Sequence, residues 1–271
     1  MTTQFQRTGR RAGALLVSVL SVTLAACDIS VGDSGFSMGV LSGKATDIWT
    51  RTYPMASGAV EISNVNGLID VSEGGSTVEV RAERTAKASS DEAAKDLLGK
   101  VEMKEEVSGT RVRIEAKLPP GGGIRQGMEI RYHVRVPAGV AVKLDTVNGK
   151  IALTGLTGRA EAETTNGAIT GEDLAGPVKA STVNGGVDVA VRSVAEGGIE
   201  MSAVNGGVRL TLPRDAKADI DASCTNGGVR VTDLDVQTTE NSRRRVSGRL
   251  NGGGPRVRLE TTNGGVRLTG R

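Results

Sequence analysis

The sequence predicts an all-β fold, a β-solenoid of stacked strand–turn–strand coils, and three observations support this prediction. The dipeptide Asn-Gly recurs at intervals of about 20 residues, which is typical of stacked units rather than of one globular core. Apolar and polar residues alternate on both sides of each Asn-Gly, the period-two pattern of strands. Aromatic residues make up only 2% of the chain, so small and branched side chains must fill a thin interior.

The Asn-Gly pairs keep a regular spacing through the second half of the chain. From Asn148 they follow at steps of 18, 18, 21 and 21 residues, and a last step of 37 residues contains a further pair at Asn251. The residues predicted to form structural turns are Asn66, Asn148, Asn166, Asn184, Asn205, Asn226 and Asn263. Asparagine tolerates the left-handed backbone region and glycine enters it freely. We therefore interpret the pair as a tight corner, either of a hairpin or of a solenoid whose stacked amides can bond along its axis.

Four positions in each repeat predict the interior. In the repeat at Asn148, these are Val142, Leu144 and Thr146 before the asparagine and Ile151 after it. The equivalent residues of the other repeats are also apolar or small. Because strand side chains alternate between faces, these columns share one buried side. They stay in phase when the period changes, so the extra residues of the longer repeats must lie at corners away from Asn-Gly.

The intervening positions predict solvated outer faces. Five residues before each asparagine the column reads Lys143, Glu161, Lys179, Glu200, Asp221 and Arg258. Four residues after the asparagine, arginine recurs at Arg209, Arg230 and Arg267. Neighbouring coils can place opposite charges side by side on such faces.

The N-terminus is predicted to be a targeting segment, residues 1–27, and not part of the fold. A basic segment around Arg10 precedes an apolar stretch, Ala12–Leu24, that is short for a membrane span. It runs into Leu24-Ala25-Ala26-Cys27, which resembles a bacterial lipobox. The resemblance implies cleavage before Cys27 and lipidation of that residue. A plain cleaved signal with an incidental cysteine is the alternative.

This anchor predicts a protein of the cell envelope, attached to a membrane on the extracytoplasmic side. Asp28 resembles the inner-membrane retention signal of enteric lipoproteins. It therefore favours the inner membrane, with the outer membrane as the alternative.

The mature chain is expected to contain a flexible tether at residues 28–46 and one solenoid domain at residues 47–271. Trp49 and Tyr53 are expected to cover an open sheet edge. Ser89 and Glu92 fit a capping box and predict one short helix in the N-terminal half. An insert at about 237–255 interrupts the regular coils, and we expect a protruding loop or an extra, irregular coil there.

The chain resembles a known family in the order and spacing of these elements. The segment Val60–Val71 with its Asn-Gly, the later Val134–Gly139, and Leu144–Ile151 are similar to the bacterial putative-adhesin β-solenoid family of unknown function. The similarity covers roughly residues 45–271. It implies a right-handed, single-stranded parallel β-helix, and many members are lipoproteins or envelope proteins. Fold alone does not assign an activity.

An active site is not predicted. Glycan-cleaving enzymes need paired carboxylates converging on one groove, whereas the acidic residues here alternate with basic or hydroxyl residues. His133 is the sole histidine and cannot hold a metal alone, so no metal or cofactor is expected. Cys224 is interpreted as a small core residue. The net charge of +3 is weak and mixed, which does not favour nucleic acid.

The preferred function is therefore a non-enzymatic, lipid-anchored scaffold that binds a glycan, lipid or protein of the envelope. Arginines suit the carboxylates or phosphates of such partners. The candidate surface residues are Arg209, Arg230, Arg267, Arg243, Arg244 and Arg245. Ordinary solvated charge is the competing explanation of these arginines. The alternative functions are an envelope-stress sensing component and a polysaccharide-active enzyme.

Overall fold

The computed structural model describes residues 29–30, 37–38, 41–117 and 127–271. In the first of two compact units, Met1–Gly39, strand β1 (Ile29–Ser30) pairs antiparallel with β2 (Ser37–Met38). The second unit, Val40–Arg271, contains the solenoid. Cys27 and Asp28 lie outside the described residues, as do the signal segment and much of the predicted tether.

The second unit consists of two large sheets. Sheet I has eleven strands, in spatial order β20 (Val236–Asn241), β21 (Arg245–Leu250), β18 (Ala218–Asn226), β22 (Arg256–Asn263), β16 (Ile199–Asn205), β14 (Val178–Asn184), β12 (Ala160–Asn166), β10 (Ala141–Asn148), β4 (Ala59–Asn66), β8 (Arg111–Lys117) and β7 (Glu102–Ser108). Sheet II has ten, in the order β19 (Val229–Thr232), β23 (Val266–Gly270), β17 (Val208–Leu212), β15 (Val187–Val191), β13 (Ile169–Leu174), β11 (Ile151–Thr154), β5 (Ile69–Glu73), β9 (Met128–Val136), β6 (Val78–Ala88) and β3 (Gly43–Tyr53). The prediction of an all-β fold with parallel stacked coils is confirmed.

Each regular coil consists of one strand in sheet I, an Asn-Gly corner and one strand in sheet II. Parallel pairing aligns equivalent residues of successive coils, so Leu144 lies opposite Ala162 and Ile151 opposite Ile169. The predicted interior columns are buried, apart from Val229, which is partly buried. Thr164 Oγ1 and Thr182 Oγ1 donate to carbonyl oxygens of the preceding coil at 3.1 and 3.0 Å, which satisfies these buried hydroxyls. Thr146 Oγ1 is buried and has no hydrogen-bond partner among the described residues.

The longer coils take up their extra residues at the corner distant from Asn-Gly, as the constant phase of the columns requires. In a coil of 18 residues, the loop between β11 and β12 runs from Thr154 to Ala160. In a coil of 21 residues, the loop between β15 and β16 is longer and runs from Val191 to Ile199. The Asn-Gly corners themselves stay in register across all period changes, with Asn184 opposite Asn205.

The coils do not stack in sequence order. The last coil, β22–β23, lies between β16–β17 and β18–β19. The period-two pattern of the interior columns does not distinguish the coils, because every coil has apolar or small residues at the same four positions.

The charged outer column of sheet I alternates in sign in the observed order. In space it reads Arg113, Glu61, Lys143, Glu161, Lys179, Glu200, Arg258, Asp221. Positive and negative residues alternate at every step. Stacking in sequence order would have placed Glu200 beside Asp221, and like charges directly opposite each other are destabilising. Insertion of β22 puts Arg258 between them.

The N-terminal part departs from a parallel solenoid. Strands β3, β6 and β9 pair antiparallel, as do β7 and β8. Strand β3 begins at Gly43, ahead of the predicted domain start at residue 47. Trp49 is partly buried against the core and stacks under Arg51 at 5.0 Å, while the Tyr53 hydroxyl donates to Glu105 at 2.7 Å. Burial, reinforced by Glu105, raises the pKa of Tyr53.

The helix spans Asp91–Gly99, and its N-cap is Ser90, one residue later than predicted. The Ser90 side chain accepts from the backbone N–H of Ala93 at 3.2 Å. The carboxylate of Asp91 accepts from the backbone N–H of Lys44 at 2.9 Å, which ties the first turn of the helix to β3.

The insert is neither a free loop nor another coil. Strands β20 and β21 form an antiparallel hairpin, and β21 pairs antiparallel with β18. Val246 and Leu250 are buried, so the hairpin extends sheet I beyond β18, the outermost coil strand at that end.

Candidate binding surface

The asparagines of the corners form a continuous hydrogen-bonded ladder. From Asn226, each Nδ2 donates to the Oδ1 of the next coil through Asn263, Asn205, Asn184, Asn166, Asn148 and Asn66, at 2.8–2.9 Å. Asn66 Nδ2 then donates to the Met128 carbonyl at 3.1 Å. These amides bond one another along the stack, which is a structural role. Asn251 is not in the ladder and donates instead to the carbonyls of Arg214 and Ala216.

The first glycine after each asparagine is required by the close approach of the coils. A Cβ atom on Gly167 or Gly185 would lie 1.9 Å from the carbonyl oxygen of the preceding corner. That distance is far inside van der Waals contact, and the atom met is backbone, so only glycine fits.

The second residue after the asparagine has no such constraint. It is Leu68, Lys150 and Ala168 in three coils, and glycine at Gly186, Gly207, Gly265 and Gly228 in the next four in space. A Cβ atom on Gly186, Gly207 or Gly265 would have its nearest neighbour at 3.4–3.5 Å, an ordinary contact. Neither packing nor a left-handed φ therefore explains these four glycines.

The four glycines form the floor of a groove, which we call the arginine groove. It has a volume of about 780 Å³ and runs across successive coils. One side is formed by Asp188, Arg209, Arg267 and Arg230, and Arg243 closes the end. The missing side chains of the floor leave the backbone of the corners accessible from the groove.

Three arginines of this groove stand directly beside one another. Arg209 pairs in register with Arg267, and Arg267 with Arg230. Arg209 also bonds Asp188 of the coil before it, with 2.6 Å between Nη1 and Oδ2. In the described part of the chain, no carboxylate lies within 4.0 Å of the guanidinium groups of Arg267, Arg230 or Arg243. The alternation found in the charged outer column of sheet I is therefore absent from this row of sheet II. Like charges also lie in register at one place on sheet I, where Asp145 is opposite Glu163.

The structure separates the six predicted surface arginines into two groups. Arg243 joins Arg209, Arg230 and Arg267 in the groove. Arg245 instead pairs with Asp221 at 3.0 Å and Glu240 at 3.3 Å on the hairpin side. Arg244 contributes its carbonyl, which accepts from the Cys224 N–H at 2.9 Å, and does not line the groove.

The floor glycines were missed from the sequence, although they left a pattern there. Asn-Gly-Gly-Val-Arg occurs at Asn205, Asn226 and Asn263, and Asn-Gly-Gly-Val-Asp at Asn184. In each case, the second glycine is followed two residues later by a charged residue that lines one side of the groove.

Other chemically capable residues are not assembled into a site. His133 Nδ1 lies 3.4 Å from Asp70 Oδ2 on the exposed face of β9, with both side chains about half exposed. Cys224 is buried and unpaired. Over residues 41–117 and 127–271, no three His, Cys, Asp or Glu side chains are grouped as a metal site would need. None of the described helices is long and apolar enough to cross a membrane.

Comparison with known proteins identifies similar chains. A family model described as Toastrack DUF4097 matches residues 36–269. A putative cell adhesion protein from Clostridium sporogenes ATCC 15579 aligns over 84% of this chain and 100% of its own, with 13% identity and a TM-score of 0.49. A putative adhesin from Bacteroides fragilis NCTC 9343 aligns over 83% and 97%, with 9% identity and a TM-score of 0.33. No curated protein matches the chain.

Proposed function

Since the chain belongs to the Toastrack DUF4097 family, we propose that it is a non-enzymatic binding scaffold of the cell envelope, with the arginine groove as its binding surface. The ligand carries anionic groups, carboxylates or phosphates, which match the planar guanidinium donors of arginine.

The row Arg209–Arg267–Arg230 is the observation that carries this proposal. Like charges in register on neighbouring strands disfavour folding, and the same protein avoids them at every step of the charged column on sheet I. A feature that lowers stability without a packing role is typical of a functional site. An anionic ligand would neutralise the row.

Arg267→Ser tests this binding role. Arg267 is the middle arginine of the row. Since no carboxylate of the described residues pairs with it, its removal does not leave an acidic side chain without a partner. Loss of its charge-assisted hydrogen bonds is expected to weaken binding of an anionic glycan, measured by isothermal titration calorimetry, by roughly tenfold. The slope of log affinity against log salt should become shallower by about one.

Arg214→Ser is the matched control, because Arg214 is an exposed arginine beside Asp233 and outside the groove. Its affinity should equal that of the wild-type protein. Equal losses in both variants would attribute the effect to net charge alone and contradict a groove. Turnover of the glycan by the purified protein would instead favour a polysaccharide-active enzyme.

We further propose that residues 1–27 are a lipoprotein signal and that Cys27 is lipidated, placing the scaffold on the extracytoplasmic side of a membrane. Multiple acyl chains anchor stably because each buried methylene contributes about 0.8 kcal/mol. Asp28 favours the inner membrane. Cys27→Ser is expected to abolish both incorporation of labelled palmitate and cleavage before residue 27, so the variant should run as the longer precursor. Incorporation of palmitate by the variant would contradict lipidation of Cys27.

For the coils we propose the right-handed, single-stranded winding that the family resemblance implies. Strands β10, β12, β14 and β16 are consecutive parallel neighbours in sheet I, each linked to the next through a strand of sheet II. Such crossovers are right-handed in about 98% of cases. A crystal structure with left-handed coils would overturn this assignment.

A further inference from the structure

We propose that the ligand of the arginine groove is an extended acidic polysaccharide lying parallel to the stacking axis, across the coils rather than along one of them. This inference rests on the function proposed above and specifies the shape and chemistry of the ligand.

The arrangement of the charges favours a chain over a compact anion. Arg209, Arg267 and Arg230 come from three successive coils of sheet II, whose strands lie about 4.8 Å apart. The first and last therefore stand about 10 Å apart along the axis, and Arg243 extends the row at its end. A polymer with an acidic group on each repeat can contact all of them at once, whereas a single small anion reaches only one or two.

The floor of the groove allows a ligand chain to approach the backbone closely. The carbonyls of Gly207, Gly265 and Gly228 each accept from a valine N–H of the neighbouring coil at 3.0 Å, which fixes the three corners in register. Because these residues carry no side chains, nothing projects from the floor between the row of arginines and the corners. A sugar chain can therefore lie flat along the floor while its acidic groups contact the arginines.

The surface does not suit a membrane or a single-stranded nucleic acid. Proteins that lie on a membrane insert apolar side chains, but the exposed large apolar residues of the described chain lie elsewhere, at Leu41, Ile48, Val107, Val147, Val183 and Val204. Single-stranded nucleic acid is bound through aromatic platforms, and no aromatic side chain lines the groove.

Galacturonate oligomers of increasing length are the probe, measured by calorimetry with the full domain. Affinity is expected to rise steeply from the monomer to the oligomer that spans the three coils, and then to level off. Gly207→Leu fills the floor while leaving every charge in place. It is expected to fold, because Leu68 occupies the equivalent corner of an earlier coil. It should weaken binding of the long oligomer by roughly tenfold or more with an unchanged salt slope.

Lys150→Gly is the matched control, since it empties the equivalent corner outside the groove. Its affinity should equal that of the wild type, while its thermal midpoint should be slightly lower because glycine increases the entropy of the unfolded chain. If Gly207→Leu binds normally, or if affinity does not depend on length, the extended chain is wrong even when Arg267→Ser still weakens binding. Binding to anionic phospholipid vesicles but not to the oligomers would overturn the inference in favour of a lipid surface. Normal binding by Arg267→Ser would instead contradict the proposed function itself.

Discussion

Alanine in place of Gly185 is expected to destabilise the protein by about 2–4 kcal/mol, whereas alanine at the adjacent Gly186 should be neutral or stabilising by up to about 1 kcal/mol. The new Cβ on Gly185 would lie 1.9 Å from the carbonyl oxygen of Gly167. The backbone cannot easily retreat, because the Gly185 N–H bonds the Asn205 carbonyl at 3.0 Å and the Asn184 amide belongs to the ladder. At Gly186 the nearest atom would be 3.4 Å away.

Urea unfolding of the two variants, followed by circular dichroism, measures both free energies of unfolding. The two variants control for each other, because both replace glycine with alanine and the two positions are adjacent in the same Asn-Gly corner. Similar losses at both positions would mean that the second glycine also has a backbone role, and the explanation of the groove floor would fail. A harmless Gly185→Ala would contradict the close approach of the coils.

Glutamate in place of Arg258 is expected to destabilise the protein and lower its urea midpoint. Arg258 lies in register between Glu200 and Asp221 and bonds Glu260 of its own strand at 2.6 Å. The substitution would place three acidic residues in a row at strand spacing. It would also remove the charge that distinguishes the observed coil order from stacking in sequence order.

Arg267→Glu is the matched control, the same change in the same coil but on sheet II. It replaces the middle charge of three arginines, so its free energy of unfolding should be unchanged or raised by up to about 1 kcal/mol. Chemical denaturation at low ionic strength separates the two variants best, because salt screens exposed charges. A stable Arg258→Glu would show that alternation does not set the coil order.

The apolar columns and the corners could be predicted from the sequence because they repeat in every coil and depend only on local phase. The position of the last coil could not be predicted from them, since the apolar pattern of β22 is the same as that of the other coils. Its outer column carries a signal for that position: Glu200 and Asp221 are like charges, and Arg258 lies in register between them.

The pairing of the N-terminal strands and of the hairpin could not be predicted from the sequence. Strands β3, β6 and β9 alternate apolar and polar residues as the coils do, and period-two alternation does not reveal whether pairing is parallel or antiparallel. In the insert, Val246 and Leu250 carry the apolar alternation of a strand, but the long step between Asn226 and Asn263 concealed it. The groove depended on spatial neighbours: Arg230 and Arg267 are 37 residues apart in sequence and adjacent in the sheet.

On the function proposed above, the row of arginines contributes to binding and not to stability. The most direct test is thermal unfolding of the wild-type protein and Arg267→Glu, each with and without a long galacturonate oligomer. A ligand that binds the folded state raises the midpoint. We predict that without the oligomer the variant unfolds at or above the wild-type temperature, and that the oligomer raises the midpoint of the wild type alone. A variant that unfolds earlier without ligand, or an equal rise in both proteins, would contradict the claim.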